Sequence, residues 1–167
     1  MKKEDGFTLV EAMVVLVIFA LLTTFGVPAF SAWKKKQDVE GEISRLHSNL
    51  QYARMKAYTE KVTWGIYWGG SDNFTAYSVK KDGNGDGDIN DPSGTDEIIE
   101  SANAKSTITT NGALSMGFDG RGFCKNPATF YISVSAGAAK NCVATSRTRI
   151  ITGKWKWDGT EWKCNPE

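Results

Sequence analysis

A long apolar segment near the N-terminus constrains this chain more than any other feature. Ala12 to Trp33 is a run of 22 residues without a charged side chain, and about 20 apolar residues in a helix are enough to cross a bilayer. Lys34, Lys35 and Lys36 close the run. It is longer than the apolar core of a secretory signal, which has roughly 7–15 residues. We therefore expect a membrane-spanning helix followed by a domain outside the bilayer.

Glu11 is the one charged residue between Phe7 and Trp33. A carboxylate in hydrocarbon costs at least a few kcal/mol, so a chain that keeps one there is expected to supply a partner for it. The obvious partner is a positive chain end, created by cutting the chain after Gly6.

The leader Lys2-Lys3-Glu4-Asp5-Gly6 and the following Phe7-Thr8-Leu9-Val10-Glu11 resemble the class III signal of type IV prepilins and type II secretion pseudopilins. The resemblance implies that prepilin peptidase cuts after Gly6 and that Phe7 becomes the N-methylated mature terminus. It implies that Glu11 pairs with the terminal amine of a neighbouring pilin or pseudopilin during assembly. It also implies an inner-membrane protein with a periplasmic C-terminal domain, which then joins a pilus or pseudopilus.

The sequence pattern divides the chain into a leader (1–6), a membrane or filament-core helix (7–33), an amphipathic helix half (34–61) and a β domain (62–167). Apolar residues in the amphipathic half are spaced four and three apart, which predicts one buried helix face. They are Val39, Ile43, Leu46, Leu50, Ala53 and Ala57. The polar residues between them are expected to face solvent. Pro28 predicts a kink or local melting near residues 24–28.

The β domain is rich in β-branched and aromatic residues between turn residues, which predicts antiparallel strands. The expected strands are 62–68, 74–79, 97–99, 106–110, 114–118, 129–134, 143–152, 153–157 and 160–163. Asp158-Gly159 predicts a two-residue hairpin turn. The expected fold is α+β, with a long N-terminal helix packed on an antiparallel β-sheet.

Four further segments resemble the GspH/FimT subfamily of minor pilins and pseudopilins. They are Ala53-Arg54, Asp96-Glu97-Ile98-Ile99 after an Asp/Asn/Gly loop, Phe118-Asp119-Gly120-Arg121-Gly122, and Ser146-Arg147-Thr148-Arg149-Ile150. The resemblance implies a structural subunit of a type IV pilus or a type II secretion pseudopilus. The sequence has no G-x-S-x-G, H-E-x-x-H or phosphate-loop motif, so an enzyme is not expected.

The segment from Asp82 to Asn90 matches the first nine positions of an EF-hand loop, which makes calcium a possible cofactor. The candidate ligands are Asp82, Asn84, Asp86, Asp88 and Glu97. The twelfth position, where a bidentate carboxylate belongs, is Ser93. The alternative is a turn rich in Asp, Asn and Gly with exposed acids.

Tryptophans alternate with lysines near the C-terminus, in Lys154-Trp155-Lys156-Trp157 and Trp162-Lys163. Aromatic rings beside cations are typical of single-stranded nucleic-acid binding. A DNA-binding minor pilin for DNA uptake is therefore the alternative function. The candidate contacts are Arg147, Arg149, Lys154, Lys156 and Lys163. The competing interpretation is a hairpin that packs one aromatic face into the sheet.

The chain has three cysteines, Cys124, Cys142 and Cys164. None lies in a C-x-x-C pair, and an exported domain favours one disulfide. The register of the two expected C-terminal hairpins places Cys124 and Cys164 both opposite Gly153. This favours a Cys124–Cys164 disulfide with Cys142 as the free thiol, ahead of Cys142–Cys164 and then Cys124–Cys142.

We predict cleavage between Gly6 and Phe7. Replacing Gly6 with valine should leave an uncut precursor in the membrane fraction, because the peptidase requires the small residue before the cut. N-terminal sequencing of the mature chain tests this. A mature terminus at Met1, or beyond residue 10, would show that the cleavage site is misassigned.

Overall fold

The computed structural model describes residues 8–90, 95–111, 114–133 and 137–166, with only the backbone of Phe25. The chain separates into two compact units, Met1–Lys35 and Lys36–Glu167. Helix α1 (Leu9–Glu60) contributes to both units.

In the first unit, α1 is an isolated apolar helix. Every described side chain from Leu9 to Lys35 is exposed, and the helix is long and apolar enough to cross a membrane. It runs through Pro28 without interruption, so the expected local melting is not present. Proline removes a single N–H donor, and hydroxyl groups nearby bond to helix carbonyls: Thr24 Oγ1 donates to Ala20 O (2.7 Å) and Ser31 Oγ to Pro28 O (2.9 Å).

The second unit contains one eight-stranded sheet in which every neighbouring pair is antiparallel. The strands are β1 (Trp64–Tyr67), β2 (Asn73–Lys81), β3 (Glu97–Thr110), β4 (Ser115–Phe118), β5 (Thr129–Tyr131), β6 (Cys142–Thr145), β7 (Ile150–Trp157) and β8 (Trp162–Pro166). Their order across the sheet is β4-β1-β2-β3-β5-β6-β7-β8.

The core of this unit lies between one face of α1 and one face of the sheet. All six residues of the predicted helix stripe are buried, none more than 2% exposed. They share a cluster with strand residues that include Ile66, Val79, Ile108, Phe118 and Phe130. Full burial of one Val, Leu, Ile or Phe side chain contributes about 1.5–3 kcal/mol to the stability of the fold. The predicted α+β fold is confirmed.

The middle of the sheet contains one long strand where two short strands were predicted. The segments 97–99 and 106–110 belong to a single strand, β3. They are joined because β3 pairs with β2 from Glu97 to Thr109. The pairing continues through two register shifts.

The C-terminal strands are divided differently from the prediction. The expected strand 143–152 is two strands, because Ser146 to Arg149 form a tight turn in which Ser146 N donates to Arg149 O (2.8 Å). The expected strand 129–134 ends at Tyr131, and Val134 lies outside the described residues.

The last hairpin has a four-residue loop instead of the predicted two-residue turn. Trp157 pairs with Trp162, which leaves Asp158 to Glu161 in the loop. Asp158 Oδ1 accepts hydrogen bonds from the backbone N–H groups of Thr160 and Glu161, both at 2.9 Å. The Asp158 carboxylate thus accepts the N–H groups of the two extra loop residues, which a two-residue turn would not contain.

The predicted Cys124–Cys164 disulfide is wrong: the disulfide joins Cys142 and Cys164, and Cys124 is a buried free thiol. The turn between β6 and β7 changes the register, so that Gly153 faces Cys142 rather than Cys124. Cys124 lies instead beside the other end of β6, where its N–H donates to Arg147 O (2.9 Å).

The disulfide connects β6 and β8, the two strands that flank β7. The Cα atoms of Cys142 and Cys164 are only 5.8 Å apart, within the usual range for a disulfide. Gly153 makes this possible, because a Cβ at that position would collide with the carbonyl group of Asn165. The missing side chain lets β8 close over β7 towards β6.

Replacing Cys142 and Cys164 together with serine should lower the free energy of unfolding by about 3 kcal/mol, because the bridge closes a loop with a sequence separation of 22. Denaturant unfolding of the full chain in detergent measures this. Reducing agent should destabilise the parent protein and leave the double variant unchanged. Peptide mapping that finds Cys124 in a disulfide would contradict the assignment.

Candidate functional sites

Thr8 and Glu11 form a capping box at the start of α1. Glu11 N donates to Thr8 Oγ1 (3.2 Å), and Thr8 N donates to Glu11 Oε2 (3.0 Å). The Thr8 hydroxyl also donates to Glu11 Oε2 at 3.0 Å. Sequence analysis missed the role of Thr8, although the T-x-x-E spacing is its signal. The carboxylate predicted to meet a neighbouring subunit is therefore bound within its own helix end. Gly6 and Phe7 lie outside the described residues.

The acidic loop after β2 is organised by its own side chains. Both carboxylate oxygens of buried Asp82 accept backbone N–H groups, from Gly85 (2.6 Å) and Gly87 (2.7 Å). Asp86 Oδ1 accepts the N–H of Asp88 (2.7 Å). These bonds fold the loop as a series of Asx turns.

Two contacts attach this loop to the sheet. Ile89 is 1% exposed and lies over Gly65 of β1, where an added Cβ would be 2.5 Å from the Ile89 Cδ1 atom. Lys125 Nζ donates to Gly87 O at 2.6 Å. The loop is therefore attached to the sheet domain by the buried Ile89 side chain and by the Lys125 ammonium group.

The predicted calcium ligands do not converge. Within the described residues, no group of three or more His, Cys, Asp or Glu side chains is placed to hold a metal ion. Glu97 lies in β3 opposite Lys81, and Ser93 lies outside the described residues. Both Asp82 carboxylate oxygens accept backbone amides, and the Lys125 ammonium group donates to the Gly87 carbonyl, so hydrogen bonds within the protein hold the loop in this conformation.

The five candidate DNA contacts are not one patch. Arg147 and Arg149 lie in the exposed turn between β6 and β7. Lys154 and Lys156 alternate with the tryptophans of β7 and so point to the opposite face of the sheet. Lys163 binds Glu161 (2.7 Å) and Asp158 (3.0 Å), and these two bonds raise the pKa of the lysine to about 12.

The tryptophans share one face, as their period of two predicted, but it is not the core face. Phe130 and Val143 pair with each other in the core, and the next residues, Tyr131 and Cys142, therefore point to the other side. Trp155 stacks on Tyr131 with ring centroids 4.2 Å apart. The tryptophans of the hairpin therefore lie on the outer face of the sheet, where Trp157 and Trp162 are more than half exposed.

Three helix residues that were expected to face solvent form hydrogen bonds with the β domain instead. Glu42 is 7% exposed, and its Oε1 atom accepts the N–H of Lys105 at 3.3 Å. Glu40 Oε1 accepts the N–H of Ala139 at 2.8 Å, and Arg45 donates to Asn103 O at 3.3 Å. For Glu42 a signal was present, because it lies three residues after one stripe position and four before another.

Comparisons with known proteins identify two matching families. The prokaryotic N-terminal methylation motif matches residues 1–27, and the type II transport protein GspH matches residues 42–151. The crystal structure of the type IV minor pilin FimU of Pseudomonas aeruginosa shares the fold, with a TM-score of 0.53 and 16% sequence identity. That similarity covers 73% of this chain and 92% of the FimU chain. A comparison with curated protein sequences finds no match.

Replacing Asp82 with alanine should destabilise the full chain by about 2 kcal/mol, because it leaves two loop amides without their acceptor. Replacing the exposed Asp86 with alanine is the matched control and should cost about 0.5 kcal/mol or less. Thermal unfolding with and without millimolar calcium measures both effects. We expect calcium to leave the melting temperature unchanged. A calcium-dependent rise that both variants lose would establish the ion site.

Proposed function

Because the chain belongs to the GspH family of type II transport proteins, we propose that it is a minor pilin or pseudopilin. In this role it is a structural subunit that enters a type IV pilus or a type II secretion pseudopilus after prepilin peptidase has removed residues 1–6. The observation that carries the proposal is the position of Glu11, a lone carboxylate on an apolar helix whose described side chains are all exposed from Leu9 to Lys35.

The apolar half of α1 would be covered first by lipid and then by the helices of neighbouring subunits. In either environment a carboxylate without a partner costs several kcal/mol. The amine of Phe7 on an adjacent subunit, freed by cleavage, would provide the partner. The pairing would favour one axial position between neighbours, because any other position leaves both charges in hydrocarbon.

Before assembly, the protein would lie in the inner membrane with the sheet domain in the periplasm. The methylation motif over residues 1–27 and the apolar helix support the anchoring. The Cys142–Cys164 disulfide supports the periplasmic side, since disulfides persist in oxidising compartments.

A DNA-binding minor pilin is the second candidate. Its support is the exposed turn that carries Arg147 and Arg149, where two guanidinium groups are available for phosphate contacts. Binding through this turn should weaken steeply as salt rises. Single-stranded DNA binding by an Arg147→Ala, Arg149→Ala double variant tests it, and unchanged affinity would remove this candidate.

Two substitutions separate the charge of Glu11 from its capping role. Glu11→Gln retains the capping box, because glutamine serves at that position, but it removes the charge. Thr8→Ala removes the cap, at a cost of about 1 kcal/mol, and retains the charge. We expect Glu11→Gln to insert into the membrane normally and to fall at least tenfold in the sheared filament fraction. Thr8→Ala should assemble nearly as the parent does.

Immunoblots of membrane and sheared filament fractions from cells that make the partner pilins measure both variants. Normal assembly of Glu11→Gln together with failure of Thr8→Ala would assign Glu11 to helix capping and overturn the proposed pairing.

A further inference from the structure

The N-terminal part of β3 has an open edge. On the side of β3 away from β2, only Thr109 and Thr110 pair with another described strand, which is β5. All five residues at the start of the strand, 97–101, are exposed. We call residues 97–101 the acidic edge, because they include Glu97 and Glu100. A strand edge of this kind presents backbone N–H and C=O groups that can pair with another chain.

The acidic edge also presents an apolar side chain and unpaired charge. Ile98 is 58% exposed. It pairs with Lys80, which follows the buried Val79, so Ile98 lies on the outer face of the sheet. In the part of the chain that the structure describes, neither Glu97 nor Glu100 forms an ion pair. The edge therefore combines free backbone groups, an exposed branched side chain and two carboxylates.

A second open edge lies at the beginning of β7. β8 pairs with β7 only from Gly153 to Trp157, so residues 150–152 have no described partner on that side. Ser146 N donates to Arg149 O, and such groups alternate in direction along an antiparallel pair. The backbone N–H and C=O groups of the first and third of these three residues therefore point away from β6. We call residues 147–152 the basic edge, after the two arginines that it contains.

A cavity of about 230 Å³ lies beside the basic edge. Ala144 and Ile151 pair with each other, and Ala144 follows the core residue Val143, so both point to the outer face of the sheet. A strand added along the basic edge would place one side chain next to Ile151, in this cavity. The cavity is lined by Ala144, Thr145, Ser146, Arg149, Ile151 and Pro166. It therefore offers apolar contacts with a guanidinium group at its rim.

The two edges are complementary in charge and in shape. Like charges on neighbouring strands repel each other and opposite charges attract, so each edge favours the other kind over its own. Neither arginine of the basic edge forms an ion pair with any described acid. Within one chain the two edges cannot pair, because β5 and β6 lie between β3 and β7. The complementary partner of each edge is therefore found on a second copy.

We propose that the acidic edge of one copy of this chain pairs with the basic edge of another, so that the sheet continues from subunit to subunit. Because a continued sheet keeps its two faces, Ile98 of the first copy would lie beside Ile151 of the second, in the cavity. The two glutamates would lie near the two arginines. The contact joins unlike surfaces and is heterologous, so a pair of copies keeps one edge of each kind free. It uses neither α1 nor Glu11, and its failure would leave the proposed pairing of Glu11 untouched.

The test measures binding between two copies of the full chain in detergent. One copy is immobilised through a terminal tag, and the other is titrated in solution by biolayer interferometry. A Glu97→Lys, Glu100→Lys double variant reverses the acidic edge, and an Arg147→Glu, Arg149→Glu double variant reverses the basic edge. Ile98→Ser removes the side chain assigned to the cavity.

Three variants are matched controls. Asp72→Lys, Asp86→Lys makes the same change in net charge with exposed acids that lie away from the acidic edge. Lys154→Glu, Lys156→Glu does so for the basic edge, with β7 lysines beyond residues 150–152. Leu114→Ser removes an apolar side chain that is 49% exposed elsewhere. Circular dichroism checks that every variant is folded.

We expect the parent copies to bind each other with a Kd of about 100 μM or below, and the affinity to fall at least threefold between 50 and 500 mM NaCl, since salt screens exposed charges. Each charge-reversed variant should bind itself at least tenfold more weakly than the parent does. The two reversed variants, when mixed, should bind each other within threefold of the parent affinity. Ile98→Ser should weaken binding at least fivefold, and the three controls should change it less than twofold.

Restored binding in the mixture is the decisive result, because each variant has then lost only its own complement. No binding between parent copies at 200 μM overturns the proposal. So does a loss of binding that mixing does not restore, since it would show that the two edges do not face each other. Unchanged binding by Ile98→Ser would contradict the assignment of this residue to the cavity and, with it, the proposed pairing.

Discussion

The burial of one helix face against one sheet face is the contact on which the rest of the second unit (Lys36–Glu167) depends. The stripe from Val39 to Ala57 supplies small and branched side chains, and the sheet supplies larger rings such as Phe118 and Phe130. Short strands such as β5 and β6 have few ladder hydrogen bonds of their own, and isolated hairpins are marginal in water. Their stability comes from this shared core. Glu40 and Glu42 then accept hydrogen bonds from the backbone amides of Ala139 and Lys105, which fix the helix against the β domain.

The opposite face of the sheet is shaped by glycines. Gly65 places no side chain on the sheet surface, and Ile89 of the acidic loop packs at that position. At Gly153 the bare surface lets β8 approach closely enough for a disulfide to cross over β7. In both places an absent side chain on one strand allows a distant part of the chain to pack. A sheet with side chains at these positions could not hold either segment in the same place.

Features that follow a local periodicity were predictable from the sequence. Features that depend on the pairing register of strands far apart in the sequence were not. The helix stripe and the strand alternation depend on neighbours three, four or two residues away, so the fold class and the common face of the tryptophans could be predicted. The disulfide depended on whether residues 143–152 form one strand or two. That was decided by the Ser146 hydroxyl, which accepts the N–H of Arg149 at 3.1 Å. Tyr131 could not be placed beside Trp155, because their contact depends on the register of the intervening strand β6 with both β5 and β7.

The environment of Cys124 has a consequence for the chemistry of the disulfide. Burial raises the pKa of this thiol, against smaller opposing effects from Thr145, Asn126 and Arg54. Thiol–disulfide exchange proceeds through the thiolate and requires access to the sulfur. The folded protein therefore contains a third cysteine that cannot attack its own bridge. Disulfide shuffling is confined to states in which the core has opened, so the correct pairing is protected by the packing of the fold rather than by the absence of a competing thiol.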